Sequence, residues 1–346
     1  MNIYFNGKDG KGWAIDTMRT DFENALVRLN IARTKNFIKA DIIHNIWWNY
    51  FLTKTSFPLR FKKNIILSAV NFIDLENENY FLRKEFEKAN SYATVWISPS
   101  EKQKQILEKY SENIFVLPYY IDFKLFNDEN FEKYRILKKY NIPAALVDNK
   151  VIIGSFQRDS LGSDLSKPKW QKGPELLIDL LKDLPKDKFI LLLSGPRRHF
   201  VIKECKKHNI PYVYIGKEMS EDDIQINSLP FHKMPDLYRI TDLYLVTSKS
   251  EGGPKAVLEA VALKTNIFST DVGLASDFLE PENIFTDTVK YKKAVFDFVE
   301  NFKKNKQKRK INTEKQYKTC IDLCNYKTLD KKLEEVYNFV LDIKKR

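Results

Sequence analysis

With 346 residues, 43% of them hydrophobic and 13% aromatic, the chain can build two domains of ordinary size with packed cores, which excludes a disordered tail protein. No stretch of about 18 uncharged apolar residues occurs, so no spanning helix is expected; the strand-like NIYF directly after Met1 reads as fold rather than as a signal segment. The net charge of +12 is uneven, with 17 basic against 14 acidic side chains in 1–122, 24 of each in 123–289, and 17 against 8 in 290–346.

In chain order, the hydropathy pattern predicts a strand at 2–5, a loop carrying Gly7, Gly10 and Gly12, and a helix over 16–29. Further strands are predicted at 41–47, 64–70, 93–98 and 113–117, with helices at 80–90 and 100–110. Strands alternating with helices imply a parallel sheet covered on both faces. The glycines run GxxGxG, not the dinucleotide order GxGxxG, and no acidic ribose clamp follows about 20 residues on, so a dehydrogenase reading is weak.

A second series begins with the strand 150–156. The 17-residue loop after it exceeds the usual length of a structureless connection, which marks it as functional. Arg158 stands at its start, Lys172 and Gly173 at its end, and Pro174 opens an amphipathic helix. Strands at 189–194 and 212–215 end on Gly195 and Gly216. His199 and His208 carry no motif, His232 reads as a helix-cap or surface histidine rather than a catalyst, and Asp222-Asp223 reads as an acidic turn.

The apolar run 243–247 then enters SKSEGGPKAVLEAVA. Gly252 and Gly253 admit a close ligand, and Pro254 suits a first helical position. The amides of Lys255 and Ala256 offer donors and partial positive charge to an anion. Glu251 and Glu259, eight residues apart, flank that helix start. A ligand with both phosphates and hydroxyls, such as a nucleotide-sugar, suits the pair; the structural alternative is that Glu259 pairs with Lys255 at i, i+4. Cys205, Cys320 and Cys324 form no CxxC, which speaks against disulfides or zinc and fits a reducing cytosol. An amphipathic stretch at 328–343 closes the chain. The basic run Lys303, Lys304, Lys306, Lys308, Arg309 and Lys310 suits a solvated face, an anionic membrane surface or, less well, nucleic acid.

Glu251-x7-Glu259, read as EGGPKAVLEAVA between two strands, resembles the signature of retaining glycosyltransferases of family 4. The resemblance implies an α/β GT-B fold, two Rossmann-like doubly wound parallel-sheet domains facing a cleft. It divides the chain into an acceptor-side domain 1–122, a donor domain 123–326 and a helix 327–346 crossing back to the first. LPYYIDFKLF matches the exit from the first domain at Pro118 and Asp122, with Tyr119 and Tyr120 in place of Asn-Gly. On this likeness Glu251 lies by the donor sugar and Glu259 holds the ribose hydroxyls. Gly252, Gly253, Pro254 and Lys255 lie against sugar and diphosphate, and the backbone at Leu229 and Pro230 reads the base. Arg158 and Lys172 neutralise the diphosphate, although the insertion DSLGSDLSKPKWQ separates them and Lys167 or Lys169 could serve instead. Gly10 and Gly12 fit the loop across the cleft. On the acceptor side, Asn71 stands where the family often has a histidine, and His44 lies near the cleft by pattern.

The implied chemistry is front-face transfer with retention, without a metal, a cofactor or an enzyme nucleophile. The expected donor is a UDP-sugar, and the acceptor a glycan or lipid-linked sugar at the cytoplasmic face of a membrane. Transfer to a modified DNA base and a non-catalytic nucleotide-sugar binding module are the alternatives.

Overall fold

The computed structural model describes residues 1–8, 10, 14–77, 80–127 and 131–343. Its contacts fall into two compact units. One comprises Met1–Asp122, Gly252–Pro254 and Asp322–Arg346, the other Phe123–Glu251 and Lys255–Ile321.

The first unit holds β1 (Asn2–Asn6), β2 (Ala32–Arg33), β3 (Ile42–Asn45), β4 (Ile65–Ser68), β5 (Val95–Ser98) and β6 (Ile114–Val116), all parallel in the order β2-β1-β3-β4-β5-β6. The central strands β3, β4 and β5 are buried throughout, as expected of parallel strands covered by helices on both faces. One face packs Ile3, Phe5, Phe22 and Leu26 against Leu329, Leu333, Val336 and Tyr337 of the terminal helix Tyr326–Asp342. Asn325 caps that helix by accepting from the Thr328 amide, and Arg28 grips Asp330 through Nε and Nη2. The other face is aromatic, with Trp48, Phe51, Phe86 and Trp96.

The second unit repeats the plan with β7 (Val151–Ser155), β8 (Phe189–Ser194), β9 (Tyr212–Ile215), β10 (Leu243–Val246), β11 (Asn266–Thr270) and β12 (Ile284–Phe285). These are again parallel, in the order β12-β11-β10-β7-β8-β9. Strands β7, β8 and β10 are fully buried. Their carboxyl ends present the loops that carry the glutamates and cations singled out above. Cys320 is buried and stands in no disulfide.

His44 lies on β3 inside the core, wholly buried against Phe5 and Phe22. Nδ1 is 3.0 Å from the Tyr337 hydroxyl and Nε2 is 3.1 Å from Ser68 Oγ, so both ring nitrogens are engaged internally. Burial pushes its pKa down to about 3 from 6.5. The unfolded chain therefore takes up this proton near pH 6.5 and the folded chain only near 3. Between those values the unfolded state binds more protons, so stability drops as pH is lowered, by up to about 1.4 kcal/mol per unit. Urea midpoints from pH 7 downward should show this slope in the wild type and a flatter one in His44→Gln; equal slopes would assign the effect to other groups.

Candidate active site

The exit of β10 and the turn that ends the long loop are stitched together. The Gln171 carbonyl accepts from the amides of Lys249 (2.9 Å) and Ser250 (3.3 Å). The Lys172 carbonyl accepts from Thr247 Oγ1 (3.2 Å) and Gln157 Nε2 (3.1 Å). Gly173 follows at φ +54, and a Cβ there would stand 2.0 Å from the Thr247 carbonyl oxygen. Only glycine fits, so Gly173→Ala should lose more than the about 1–2 kcal/mol of left-handed backbone alone; an unchanged thermal midpoint would show that the turn relaxes freely.

This stitching sets Lys172 Nζ 2.6 Å from Glu251 Oε1, a pair of which 24% and 13% of the side chains remain exposed. Ser248 Oγ donates to the same carboxylate oxygen at 2.6 Å, and Thr270 Oγ1 in turn donates to the Ser248 carbonyl. Glu251 is thus held in one orientation by a cation and a hydroxyl.

Lys169 completes the group. Its ammonium is pushed down from 10.5 to about 8, first by burial and then by the fields of Arg158 and Lys172, with Glu251 opposing. Lys169 thus feels two further cations and one carboxylate at a partly buried place, a setting that favours an anionic ligand. Lys167 does not join them; it is exposed and pairs with Asp164 at 3.4 Å. Of the two lysines in the insertion, Lys169 is the one in the cluster.

The loop bearing these cations is built, not slack. Ser160 and Pro168 form an antiparallel bridge, and the amides of Asp159 and Ser160 donate to the Arg197 carbonyl. Beneath lies an ion pair that motif reading missed: Arg198 Nε is 3.0 Å from Asp159 Oδ2, with 1% and 2% of the side chains exposed. Arg198 Nη2 also donates to Ser155 Oγ at the end of β7. Burial pushes the Asp159 carboxyl up to about 6 against the pull of Arg198.

Glu259 lies on the helix Lys255–Ala262, buried, with Oε2 accepting from the Tyr238 hydroxyl at 2.9 Å. Burial raises its pKa, and the nearby Lys255 ammonium opposes that shift. Lys255 Nζ itself sits 5.2 Å from the Phe231 ring centroid. Gly252 and Pro254 are buried and Gly253 half-buried; the helix proper begins one residue after Pro254. Leu229 is half-buried and Pro230 exposed. Asp222 binds Arg197 through Nε and Nη2, while buried Asp223 accepts from the Arg197 amide and Asn227 Nδ2, so both carboxylates serve the fold.

In the first unit, Asn71 Oδ1 accepts from the indole nitrogens of Trp47 (2.6 Å) and Trp48 (3.1 Å), and its amide nitrogen donates to the Phe72 carbonyl. Gly10 is exposed at φ +69. Gly12 lies outside the described residues.

Residues 166–319 match the family model described as Glycosyl transferases group 1. That segment holds Lys169, Lys172, Glu251 and Glu259. In sequence, 193 residues are 28% identical to the Bacillus subtilis (strain 168) protein named "Putative teichuronic acid biosynthesis glycosyltransferase TuaC", covering 55% of this chain and 42% of TuaC. The match thus spans less than half of that relative. In structure, Anabaena Alr3699/HepE in complex with UDP and glucose is similar at a TM-score of 0.72 and 14% identity, over 98% of this chain and 99% of that one. The fold is GT-B. HepE in complex with UDP-glucose gives the same TM-score at 15% identity and the same coverage. Sucrose-phosphate synthase from Thermosynechococcus elongatus, at 0.65 and 13% identity, shares this GT-B architecture over 95% of this chain and 79% of its own.

Proposed function

We propose that the chain is a retaining, metal-independent glycosyltransferase that moves a sugar from a UDP-sugar to a glycan or lipid-linked acceptor, working at the cytoplasmic side of a membrane. The observation that carries the reading is the Lys172–Glu251 pair set among Lys169 and Arg158. In this reading the cations neutralise the departing diphosphate and Glu251 lies by the sugar. Glu259, oriented by Tyr238, accepts from the ribose hydroxyls. Leu229 and Pro230 offer backbone to the base. The diphosphate oxygen takes the acceptor's proton as the new glycosidic bond forms on the face it leaves. The protein supplies position and charge stabilisation rather than a nucleophile. HepE was crystallised with UDP and with UDP-glucose, which favours a UDP-sugar donor. TuaC's name favours an acceptor in polysaccharide synthesis.

The test is a panel of nucleotide-sugars read by thermal stabilisation and slow donor hydrolysis, in EDTA. A UDP-sugar at a hundred times its Kd should add about 2.7 kcal/mol. No stabilisation by any donor would sink the transferase reading, and activity that returns only with manganese would sink its metal-independent form.

A further inference from the structure

Three large apolar side chains of the first unit stand out in solvent. Phe57 is 54% exposed, Phe61 76% and Ile38 69%. Single exposed apolar residues are ordinary on protein surfaces, but a cluster marks an interaction site. The rings of Phe57 and Phe61 pack edge to face with centroids 5.5 Å apart. Lys62 Nζ donates to the Ile38 carbonyl at 2.9 Å, which ties the short turn Phe37–Lys39 to the residue after Phe61.

The segment that carries the two rings is fixed from below. Lys54–Phe61 is a 3₁₀ stretch with Pro58 inside it and Ser56 and Leu59 buried. Arg60 donates to the Phe51 carbonyl and lies over the Phe57 and Phe51 rings, at 5.5 and 5.8 Å. Phe57 and Phe61 are therefore held outward by a rigid support.

The segment around them is mostly basic, with Arg33 paired to Glu23 at 2.9 Å. Residues 33–63 carry seven basic side chains (Arg33, Lys35, Lys39, Lys54, Arg60, Lys62, Lys63) against one acid, Asp41. Asp41 is itself engaged by the Asn2 amide and the terminal amine. Next to the rings, Thr53, Thr55 and Ser56 edge a cavity of about 460 Å³ that Arg19, Arg33 and Lys35 also line. Aromatic and aliphatic side chains raised above a ring of lysines suit the boundary between headgroups and acyl chains of an anionic bilayer. Beside the basic run 303–310, Ile311 and Phe296 are exposed, but Phe298 is buried and Arg309 lies over the Phe298 and Phe302 rings, so no outward pair of packed rings like Phe57 and Phe61 is described there.

We propose that the face formed by Ile38, Phe57 and Phe61 with Lys39, Lys54, Lys62 and Lys63 docks the protein on an anionic lipid surface. The inference goes beyond the transferase reading and stands without it, since docking needs no donor. Full-length protein should cosediment with phosphatidylglycerol–phosphatidylcholine vesicles and not with phosphatidylcholine alone. Phe57→Ser with Phe61→Ser should weaken binding at least tenfold. Each cation near such a surface contributes roughly fivefold, so Lys39→Gln, Lys54→Gln and Lys63→Gln together should weaken it further and flatten its salt dependence. All five side chains are exposed, so near-ultraviolet dichroism should stay unchanged and exclude misfolding. Replacing the six cations of 303–310 with glutamine should leave vesicle binding intact. The proposal is overturned if wild-type protein ignores anionic vesicles, if the double phenylalanine variant binds as well as wild type, or if only the 303–310 variant loses binding. Binding to a DNA duplex without binding to vesicles, or a dimer that the phenylalanine variant dissolves, would equally overturn it.

Discussion

Asp159→Asn is expected to destabilise the second unit by about 3–5 kcal/mol, the usual loss when one partner of a buried ion pair is removed. Arg198→Met should cost less, and the difference should widen in acid. The reason lies in which partner can neutralise itself. With Asp159 gone, the Arg198 guanidinium stays charged and buried, with Ser155 Oγ as a remaining neutral acceptor. With Arg198 gone, the Asp159 carboxyl, already raised by burial to about 6, moves higher and takes a proton. A carboxyl whose folded pKa lies above its ordinary 3.8 binds its proton in the folded state first. Its destabilising contribution is therefore present above the folded pKa and is relieved as pH falls toward 4, opposite in sign to that of His44. Urea unfolding at pH 5 and pH 7.5 should show Arg198→Met recovering in acid and Asp159→Asn not recovering. Asp159 also anchors the loop that carries Arg158, Lys169 and Lys172, so Asp159→Asn should weaken UDP binding as well. Equal losses in the two variants at both pH values would mean that lost packing, not the charge left behind, sets the cost.

The parallel sheets were legible because their central strands are apolar on both faces, as in IILS, VWIS and FILLLS. The two-residue edge strands were not. Ala32–Arg33 and Ile284–Phe285 are two residues each, and Ala32 and Arg33 are exposed, so no apolar run announces them. Within the candidate site, the spacing of Glu251 and Glu259 and the length of the loop 157–173 were both visible. What orders them was not, since Asp159 meets Arg198 and Glu259 meets Tyr238 across separations that local pattern does not encode. His44 shows the same limit: a polar residue in a buried strand can be a ligand or a satisfied core group. The deciding partner, Tyr337, lies 293 residues away. Charge was hidden by averaging, because 17 basic against 14 acidic residues over 1–122 conceals seven against one in 33–63.

Above about pH 8, affinity for UDP is expected to fall by roughly tenfold per unit, and Lys169→Met should abolish that dependence while lowering affinity throughout. Lys169 is the group in the cluster whose ammonium is pushed down into this range, by burial and by the neighbouring Arg158 and Lys172. A lysine held below its ordinary 10.5 is charged at neutral pH and loses its proton near 8 in the free protein. A diphosphate bound beside it would favour the charged form, so the pKa rises on binding. Between the free and bound values one proton must be taken up with the ligand, which sets the slope at about one decade per unit. Lys172 should respond differently. Its ammonium already pairs with Glu251 at 2.6 Å, beside the place assigned to the sugar. Stabilisation of a leaving group grows as its bond breaks, so Lys172→Ala should lower kcat by about 10²–10³ and raise KM far less. Lys172→Arg should recover part of the loss, because it keeps the charge but not the compact geometry. Calorimetry with UDP between pH 7 and 9.5 and steady-state kinetics with the preferred donor read the two residues separately. A flat pH profile in the wild type would remove Lys169 from the diphosphate site. A Lys172→Ala variant with raised KM and unchanged kcat would make Lys172 a binding group rather than one that acts on the leaving diphosphate.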